Sequence, residues 1–219
     1  MTDRAALLDE IAHEMRETAQ WTGRTALSPR VAGALAKVKR EAFVAPGSEQ
    51  AAYENRPLPI GHGQTISQPF IVALMTELLD LQADARVLEV GTGSGYQAAV
   101  LAEVAGTVYS VEVLPELAAN AAVALVSQGY ANVELRTSDG GLGWPEQAPF
   151  DAIIVTAAAL DVPSALLDQL RPGGRMVIPI GPRHGDQELL LVTKDVAGNV
   201  IRRSVLPVAF VPLTNGGRD

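Results

Sequence analysis

The feature that most constrains this chain is an apolar strand that runs directly into a turn with three glycines. Residues 86–96 read RVLEVGTGSGY. Glycines at alternate positions let the backbone bend sharply and approach a ligand without a clash from a Cβ atom. The helix that follows offers unpaired N–H groups to polar ligand atoms. Glu89 stands at the end of this strand and Glu112 at the end of the next apolar run, where nucleotide-binding α/β folds place an acid that binds the ribose. The pattern predicts a site for a ligand that contains adenosine.

The spacing of the glycines indicates which adenosine ligand to expect. The turn has the form G-x-G-x-G, and Tyr96 stands where the dinucleotide fingerprint G-x-G-x-x-G has its third glycine. The carboxylate of Glu89 before the turn repels a pyrophosphate but attracts a sulfonium or an ammonium group. We therefore expect S-adenosyl-L-methionine, with S-adenosyl-L-homocysteine as its product, rather than NAD. A strand-to-helix turn that binds nothing is the remaining alternative.

Alternating strands and helices predict the fold class. From residue 86 onward, apolar strand-like runs alternate with helical patterns, which is typical of a doubly wound, mostly parallel sheet. Strands are expected near residues 86–90, 107–112, 132–137, 151–156 and 174–180, and helices near 94–105, 115–128 and 162–170. Two further runs, 187–194 and 200–211, predict an antiparallel C-terminal hairpin. The expectation is an α/β, Rossmann-like, doubly wound and mostly parallel sheet of about seven strands.

Before residue 86, the chain predicts N-terminal helices and a long loop. Residues 3–20 have apolar positions at helical spacing, and a second helix begins after Ser28 as its cap. A third helix is expected over 68–81, capped by Ser67, and residues 46–66, rich in proline and glycine, are expected to be a loop. We expect a single domain over 1–219, made of a helical cap at 1–45, a substrate and active-site loop at 46–67 and a cofactor-binding core at 68–219.

Polar and small residues follow the later strands, at the edge where parallel sheets bind ligands. Asp139 and Gly140 follow the third predicted strand, where a side-chain acceptor can bind the adenine amino group and the glycine leaves room for the ring. A simple turn is the alternative for this pair. Thr156 and Ala157 follow the fourth strand and leave space for the substrate, although small residues at this point also serve helix–strand packing.

The second unusual stretch, residues 57–70, reads PLPIGHGQTISQPF and is longer than a connection needs. It offers hydrogen-bonding groups in Gln64, Thr65 and Ser67. A hydroxyl at a helix N-terminus can bind a carboxylate, and it can equally serve only as a helix cap. No histidine and acid flank Ser67 in a triad pattern, so a nucleophilic serine is disfavoured.

Composition narrows the classes of function. The formal net charge of −8 argues against nucleic-acid and anionic-membrane partners. The chain has no cysteine and three scattered histidines, so neither a thiolate nor a metal site is expected. The polar N-terminus lacks an apolar signal-peptide core, and no apolar run reaches the length of a membrane span. We expect a cytoplasmic monomer, with the basic residues Lys37, Lys39 and Arg40 on a solvated helix face.

Residues 57–70 and 86–97 together resemble the protein-L-isoaspartate (D-aspartate) O-methyltransferase family. The PLPIGxGQTISQP run is specific to that family, and residues 87–102 match its cofactor motif. Shorter matches at 169–170, 172–174 and 211–214 follow in order, so that the resemblance covers roughly residues 25–214. It implies a Rossmann-like class I S-adenosylmethionine-dependent methyltransferase fold. It also implies methyl transfer from S-adenosyl-L-methionine to the α-carboxylate of L-isoaspartyl residues in damaged proteins and peptides, with D-aspartyl residues as a further candidate. The ester is a better leaving group, so a succinimide reforms and part of it opens to normal aspartate.

The resemblance also implies roles for individual residues. Ser67 matches the active-site hydroxyl, which orients the substrate carboxylate by hydrogen bonding, and Gln64 shapes the loop beside the substrate. Glu112 is carried over to the ribose, and Asp139 with Gly140 to the adenine. The full set of expected cofactor contacts is Thr65, Ile66, Glu89, Gly91, Thr92, Gly93, Glu112, Asp139, Gly140 and Thr214. Departures from the family pattern at Lys39, Ser138 and Ala159 remove no proposed catalytic group.

Three alternatives to repair methylation stay open on the sequence. A related methyltransferase would act on one dedicated peptide aspartate carboxylate, and we expect such a specialist to carry an added peptide-recognition segment, for which little chain follows Thr214. A NAD-dependent oxidoreductase is opposed by Tyr96 at the third glycine position. A module that binds S-adenosyl-L-methionine without turnover is opposed by the intact loop around Ser67.

Overall fold

The computed structural model describes residues 3–214. The α-helices in this range are α1 Arg4–Glu17, α2 Ala19–Thr22, α3 Pro29–Lys37, α4 Pro69–Leu79, α5 Tyr96–Ala102, α6 Pro115–Ser127 and α7 Ser164–Gln169. The strands are β1 Leu58–Gly61, β2 Gln64–Ile66, β3 Arg86–Val90, β4 Thr107–Glu112, β5 Val133–Thr137, β6 Phe150–Val155, β7 Leu170–Ile180, β8 Gln187–Lys194 and β9 Val200–Val208. Short 3-10 helices cover Arg40–Phe43, Glu49–Ala51, Gly140–Leu142 and Pro145–Gln147.

The main sheet has seven strands in the order β5-β4-β3-β6-β7-β8-β9. Strands β3 to β7 pair in parallel, and β8 and β9 add antiparallel pairs at one edge. The predicted mostly parallel sheet with an antiparallel C-terminal hairpin is therefore confirmed. Strands β4 and β5 lie on one side of β3, and the later strands, from β6 onward, lie on the other side. The switch point is therefore between β3 and β6, which is where open α/β sheets form their ligand crevice.

Both faces of the sheet are covered, which explains the continuous apolar runs in its strands. Successive residues of a strand point to opposite faces. Val87 belongs to the apolar cluster that includes α1, α3, α4 and α5, whereas Leu88 belongs to the opposite cluster, which includes Leu166 of α7. Helix α4 is buried along its whole length because the N-terminal helices pack over the helix on the side away from the sheet.

The N-terminal helices begin where the sequence predicts. The Ser28 hydroxyl oxygen accepts a hydrogen bond from the backbone N–H of Val31 at 3.4 Å, at the start of α3. Arg40, expected on a solvated helix face, is instead fully buried in a 3-10 helix, so that part of the prediction is wrong. Its Nε donates to the carbonyl oxygen of Ala52 at 2.8 Å, and its guanidinium lies 4.9 Å from the centre of the Tyr96 ring. The aliphatic stem and the ring face together make this burial possible.

Residues 46–66 are not the plain loop that their glycines and prolines predict. They contain a two-stranded antiparallel hairpin, β1–β2, in which Leu58 pairs with Ile66 and Pro59 with Thr65. The hairpin reverses through Gly61, His62 and Gly63, which all have positive φ angles. Glycine at two of these three positions removes most of the cost of the left-handed conformation, and the glycines therefore mark a tight reversal.

Helix α4 begins at Pro69, and its cap is not the predicted one. Gln68 is the N-cap residue and makes no side-chain capping bond, while Ser67 lies one residue further out. The backbone N–H of Phe70 donates instead to the side-chain oxygen of Asn55 at 3.0 Å. Because Asn55 satisfies this N–H from a distant part of the chain, the hydroxyl of Ser67 is not used at the helix start.

Candidate active site

A cavity opens at the carboxyl ends of β3, β4 and β6. Its walls come from the hairpin and the residues after it, the glycine turn, the end of β4, and two short segments after β5 and β6. The lining residues are Gln64–Ser67, Val72, Val90–Ser94, Tyr96, Gln97, Val111–Leu114, Leu117, Gly140, Thr156, Ala157 and Val211–Thr214.

The floor of the cavity is the glycine turn after β3. Gly91, Gly93 and Gly95 have φ angles of 96°, 54° and 87°, in the region that disfavours residues with a Cβ atom. A Cβ atom on Gly91 would overlap the Oγ1 of Thr156. That hydroxyl donates to the carbonyl oxygen of Gly91 at 2.6 Å, which ties the turn to the end of β6. The glycine at 91 thus meets both a conformational and a steric requirement.

Glu112 closes one side of the turn from the end of β4. Its Oε2 accepts a hydrogen bond from the backbone N–H of Gly93 at 2.8 Å, and its Oε1 accepts from the N–H groups of Val113 and Leu114 at 2.9 and 3.0 Å. A carboxylate has about four lone-pair sites, so one on Oε2 stays available. The side chain is oriented by the backbone before any ligand arrives, and its free acceptor suits a hydroxyl donor.

Glu89 lies beneath the turn and does not line the cavity. The side chain is completely buried, and its Oε2 accepts a hydrogen bond from the hydroxyl of Ser110. The Ser110 hydroxyl is hydrogen-bonded in turn to that of Thr92, which does line the cavity. Burial raises the pKa of Glu89 to about 8, and the nearby charge of Glu112 acts in the same direction. Among the described residues, the Oε1 of Glu89 has no hydrogen-bond partner.

The loop after β5 contributes the opposite wall. Gly140 is buried against the strand end, and a Cβ atom there would lie 2.5 Å from a methyl carbon of Val90. Asp139 does not line the cavity, since its Oδ1 accepts from the N–H of Gly141 at 2.9 Å and caps the short 3-10 helix. Gly140 therefore lines the cavity, whereas Asp139 stabilises the conformation of the loop.

The hairpin places Ser67 at the mouth of the cavity. Gln64, Thr65 and Ile66 form β2, and Ser67 follows before the chain enters α4. Ser67 is half-buried, and its hydroxyl makes no hydrogen bond to any other residue between 3 and 214. Ile60 of β1 reaches to 3.5 Å from where a Cβ atom on Gly93 would be, so the hairpin packs on the glycine turn. A hydroxyl without a protein partner at this place can serve a ligand.

The last described residues return to the site. The predicted strand to residue 211 ends at Val208, and the chain then leaves the sheet edge to run beside the segment after β6. The N–H of Ala158 donates to the carbonyl oxygen of Val211, and the N–H of Leu213 donates to that of Ala158, both at 2.8 Å. These bonds bring Thr214 to the cavity wall.

Tyr96 fills the position where a dinucleotide site would have glycine. Its ring is buried under the Arg40 guanidinium and 6.0 Å from the ring centre of Phe43. Burial raises the pKa of Tyr96 to about 12 and lowers the pKa of Arg40 to about 10. The aromatic residue thus fixes the start of α5 at the cavity wall.

The structure brings nearly all of the predicted site residues together. Only Glu89 and Asp139 stand outside the cavity wall. Glu89 is linked to Thr92 of the wall through the Ser110 hydroxyl, and Asp139 directly precedes Gly140 of the wall. The individual roles of these residues stay predictions. Most apolar residues at the wall were not predicted, among them Val72, Val111, Val113, Leu114 and Leu117. The sequence does contain a signal for two of them, since Val113 and Leu114 directly follow Glu112 at a strand end.

No group of three or more histidine, cysteine, aspartate or glutamate residues between 3 and 214 is arranged to hold a metal ion. Over the same range, no helix combines the length and apolar character needed to cross a membrane.

Comparison with known proteins gives a consistent result. Residues 13–218 match the family model described as protein-L-isoaspartate(D-aspartate) O-methyltransferase. The chain is 58% identical over 214 residues to protein-L-isoaspartate O-methyltransferase 2 of Syntrophobacter fumaroxidans, which covers 97% of this chain and 86% of the relative. A solved protein-L-isoaspartate O-methyltransferase superposes with a TM-score of 0.82 at 28% identity, over 95% of this chain and 66% of its own.

A further solved structure shares the fold. It is a Plasmodium falciparum protein assigned to the same activity and solved in complex with S-adenosyl-L-homocysteine. The superposition has a TM-score of 0.80 at 23% identity and covers 98% of this chain and 100% of that chain. The fold of this chain is thus a known architecture.

Proposed function

The chain belongs to the protein-L-isoaspartate(D-aspartate) O-methyltransferase family, and from this premise we propose how its cavity carries out the reaction. The enzyme is a protein repair methyltransferase that depends on S-adenosyl-L-methionine. We propose that the cofactor lies along the glycine turn and that the isoaspartyl carboxylate enters beside Ser67. The observation that carries this proposal is that the Ser67 hydroxyl, which has no partner among residues 3–214, lines the same cavity as the glycine turn and Glu112.

The cavity fits the proposed cofactor in three respects. Glu112 offers a remaining Oε2 acceptor to a ribose hydroxyl. Gly140 brings bare backbone to the cavity wall at the end of β5, packed too closely on Val90 for a Cβ atom. The apolar side chains of Leu114 and Leu117 line the same cavity and suit a base. The bound cofactor supplies a methyl group on a sulfonium sulfur, which is electrophilic without further activation.

The residues around Ser67 need to orient a carboxylate, since a carboxylate is already a nucleophile at neutral pH. We propose that the Ser67 hydroxyl donates a hydrogen bond to one carboxylate oxygen, so that the other points along the line of displacement. Thr65 and Ile66 of β2 form the adjacent wall. A substrate that binds against this wall excludes water from the reacting atoms. No general base is required, which agrees with the absence of a histidine from the residues that line the cavity.

The remaining wall is proposed to face the substrate. Thr156 and Ala157 stand at the end of β6, and Gln64 stands at the hairpin. Thr156 uses its hydroxyl hydrogen on the Gly91 carbonyl, so it offers acceptor lone pairs and a methyl group to the substrate. Gln64 has only a 3.4 Å bond to the carbonyl oxygen of His62, so its amide is available to peptide groups of the substrate.

Further expectations remain proposals about the whole protein. We propose a single domain with a helical cap at 1–45, a substrate loop at 46–67 and a core at 68–219, in which the packing of α1 and α3 on α4 supports the position of the cap. We also propose a cytoplasmic monomer that acts on proteins without contacting nucleic acid or membranes, and the net charge of −8 supports this. Light scattering tests the monomer, and cell fractionation tests the location.

Methyl transfer from labelled S-adenosyl-L-methionine to two matched peptides tests the function. One peptide contains isoaspartate and the other contains normal aspartate at the same position. We expect label on the isoaspartyl peptide alone, because only isoaspartate has a free α-carboxylate, its main chain passing through the β-carbonyl instead. Label on neither peptide, with S-adenosyl-L-homocysteine binding intact, would overturn repair methylation in favour of a dedicated peptide substrate or a binder without turnover.

A further inference from the structure

Two buried glutamines stand behind the cavity wall and touch nothing inside the cavity. Gln169 is the last residue of α7, and Gln187 is the first residue of β8. They are 6% and 4% exposed, and neither is a cavity-lining residue. Each uses its amide oxygen to accept from one backbone N–H and its amide nitrogen to donate to a backbone carbonyl. Buried amides of this kind are costly unless both ends are satisfied.

Gln169 holds the loop that contributes Gly140 to the cavity. Its Oε1 accepts a hydrogen bond from the backbone N–H of Trp144 at 2.7 Å, and its Nε2 donates to the carbonyl oxygen of Leu142 at 2.9 Å. The residue between these two is Gly143, whose φ is 63° and whose Cβ position is occupied by the Gln169 amide. The Gln169 side chain therefore satisfies the backbone groups of Leu142 and Trp144, as a neighbouring strand would, and so fixes the conformation of the loop.

Gln187 holds the segment that returns over the cavity. Its Oε1 accepts from the N–H of Phe210 at 2.7 Å, and its Nε2 lies 3.2 Å from the carbonyl oxygens of Phe210 and Pro182. In the β8–β9 ladder, Gln187 is paired with Val208. The side chain thus continues the ladder beyond its last backbone pair, at the point where the chain turns toward Ala158.

The two held segments meet at the same wall of the cavity. A Cβ atom on Gly140 would lie 3.6 Å from the Cδ1 of Leu213, in the returning segment. We propose that Gln169 and Gln187 are positioning residues of the cofactor site, which fix these two segments against each other and so set the affinity for the cofactor. This inference rests on the proposed function, since it takes the cavity to be the cofactor site.

The substitutions Gln169→Met and Gln187→Met test the proposal, because methionine keeps the length of the side chain and removes both hydrogen bonds. Gln82→Met, at an exposed position outside the cavity, is the matched control. Calorimetry with S-adenosyl-L-homocysteine measures the dissociation constant. We expect each buried variant to weaken binding about tenfold, with the control unchanged. We expect kcat at saturating S-adenosyl-L-methionine to stay within about twofold of wild type, as for a residue that acts on cofactor binding.

Trp144 supplies a spectroscopic readout that a loss of stability alone would not produce. The chain has two tryptophans, so Trp21→Phe leaves Trp144 as the single emitter. In this background we expect Gln169→Met to shift the fluorescence emission of the folded protein, because it releases the backbone N–H of Trp144. We expect Gln187→Met to leave the emission unchanged. If either methionine variant is recovered unfolded, the asparagine variant is measured instead, with the same results expected.

Dissociation constants within twofold of wild type in both variants would overturn the inference, as would a fall in kcat at saturating cofactor with unchanged binding. An emission spectrum unchanged by Gln169→Met would also contradict it. The proposed function is judged separately on the wild-type chain. If wild type neither binds S-adenosyl-L-homocysteine nor methylates the isoaspartyl peptide, the function fails, whereas a functional wild type with unaffected variants refutes only the positioning role.

Discussion

The carboxylate of Glu112 and the backbone N–H of Gly93 are hydrogen-bonded at 2.8 Å, which joins the end of β4 to the middle of the glycine turn. The bond holds two cofactor-binding elements in fixed relation before a ligand binds. Because the acid is already oriented, binding of a ribose does not have to order this side chain. The same bond leaves the acid with a single free acceptor on Oε2 for the incoming hydroxyl.

Glu112→Gln is therefore expected to weaken cofactor binding by about 1–3 kcal/mol, since one amide oxygen cannot satisfy three backbone N–H groups and a ribose hydroxyl. Calorimetric titration with S-adenosyl-L-homocysteine measures this loss. Glu134→Gln, at an exposed position in β5, is the matched control and should bind normally. Equal affinities for wild type and Glu112→Gln would remove the ribose assignment.

Ser67→Ala is expected to lower kcat about 10- to 100-fold for an isoaspartyl peptide, because the substrate carboxylate loses an orienting hydrogen bond. Cofactor affinity and the thermal midpoint should stay near those of wild type, since the hydroxyl has no partner in the described part of the chain. Ser127→Ala, at the exposed end of α6, serves as the control. Normal turnover by Ser67→Ala would show that the hydroxyl does not orient the substrate.

Gly91→Ala is expected to destabilise the fold by about 3 kcal/mol or more, because the new methyl group overlaps the Thr156 hydroxyl in addition to the strain of a positive φ. Gly129→Ala has a φ of 83° and nothing within 4 Å of the new Cβ atom, so it should cost only about 1–2 kcal/mol. Urea unfolding compares the two. The further substitution Thr156→Ala should recover part of the loss in Gly91→Ala, and no recovery would place the strain elsewhere.

Glu89→Gln is expected to flatten the pH dependence of stability. The pKa of Glu89 rises from 4.5 to about 8 on folding, chiefly through burial. Between these pH values the folded protein keeps a proton that the unfolded chain has lost, so the free energy of unfolding falls as pH rises. The slope is at most about 1.4 kcal/mol per pH unit for one proton, and the full contribution is present below the unfolded pKa.

Urea unfolding at a series of pH values between 5 and 8.5 measures this slope for wild type and Glu89→Gln. The glutamine keeps an oxygen that can accept from Ser110, so the comparison isolates the titration. The charged neighbour to account for is Glu112, which is unchanged in both proteins. Parallel slopes for the two proteins would mean that Glu89 does not hold its proton in the folded state.

The sheet and most of the cavity were predictable because they follow from local pattern and one rule of topology. Strand runs ending in Glu112 and Thr156 place both residues at the carboxyl edge of a parallel sheet, and the crossover rule brings such edges together. The direction of Glu89 was harder to predict. Strand alternation puts the side chain of Val90 at the cavity and leaves that of Glu89 beneath it.

Features that depend on distant partners were beyond reach of the local sequence. Ser67 satisfies every local criterion for a helix cap, yet Asn55 bonds the first turn of α4, and only tertiary structure brings Asn55 there. Arg40 follows two lysines and resembles a solvated residue, but the Tyr96 ring and the Ala52 carbonyl bury it. The roles of such residues are set by groups that no window of neighbouring residues contains.

The return of residues 211–214 to the segment after β6 also matters for the order in which the enzyme is made. During translation, the hairpin and the glycine turn leave the ribosome long before Leu213 can pair with Ala158. A nascent chain can therefore hold a folded core while one wall of its cofactor cavity is still missing. Cofactor binding that uses this wall therefore has to follow the synthesis of residues 211–214.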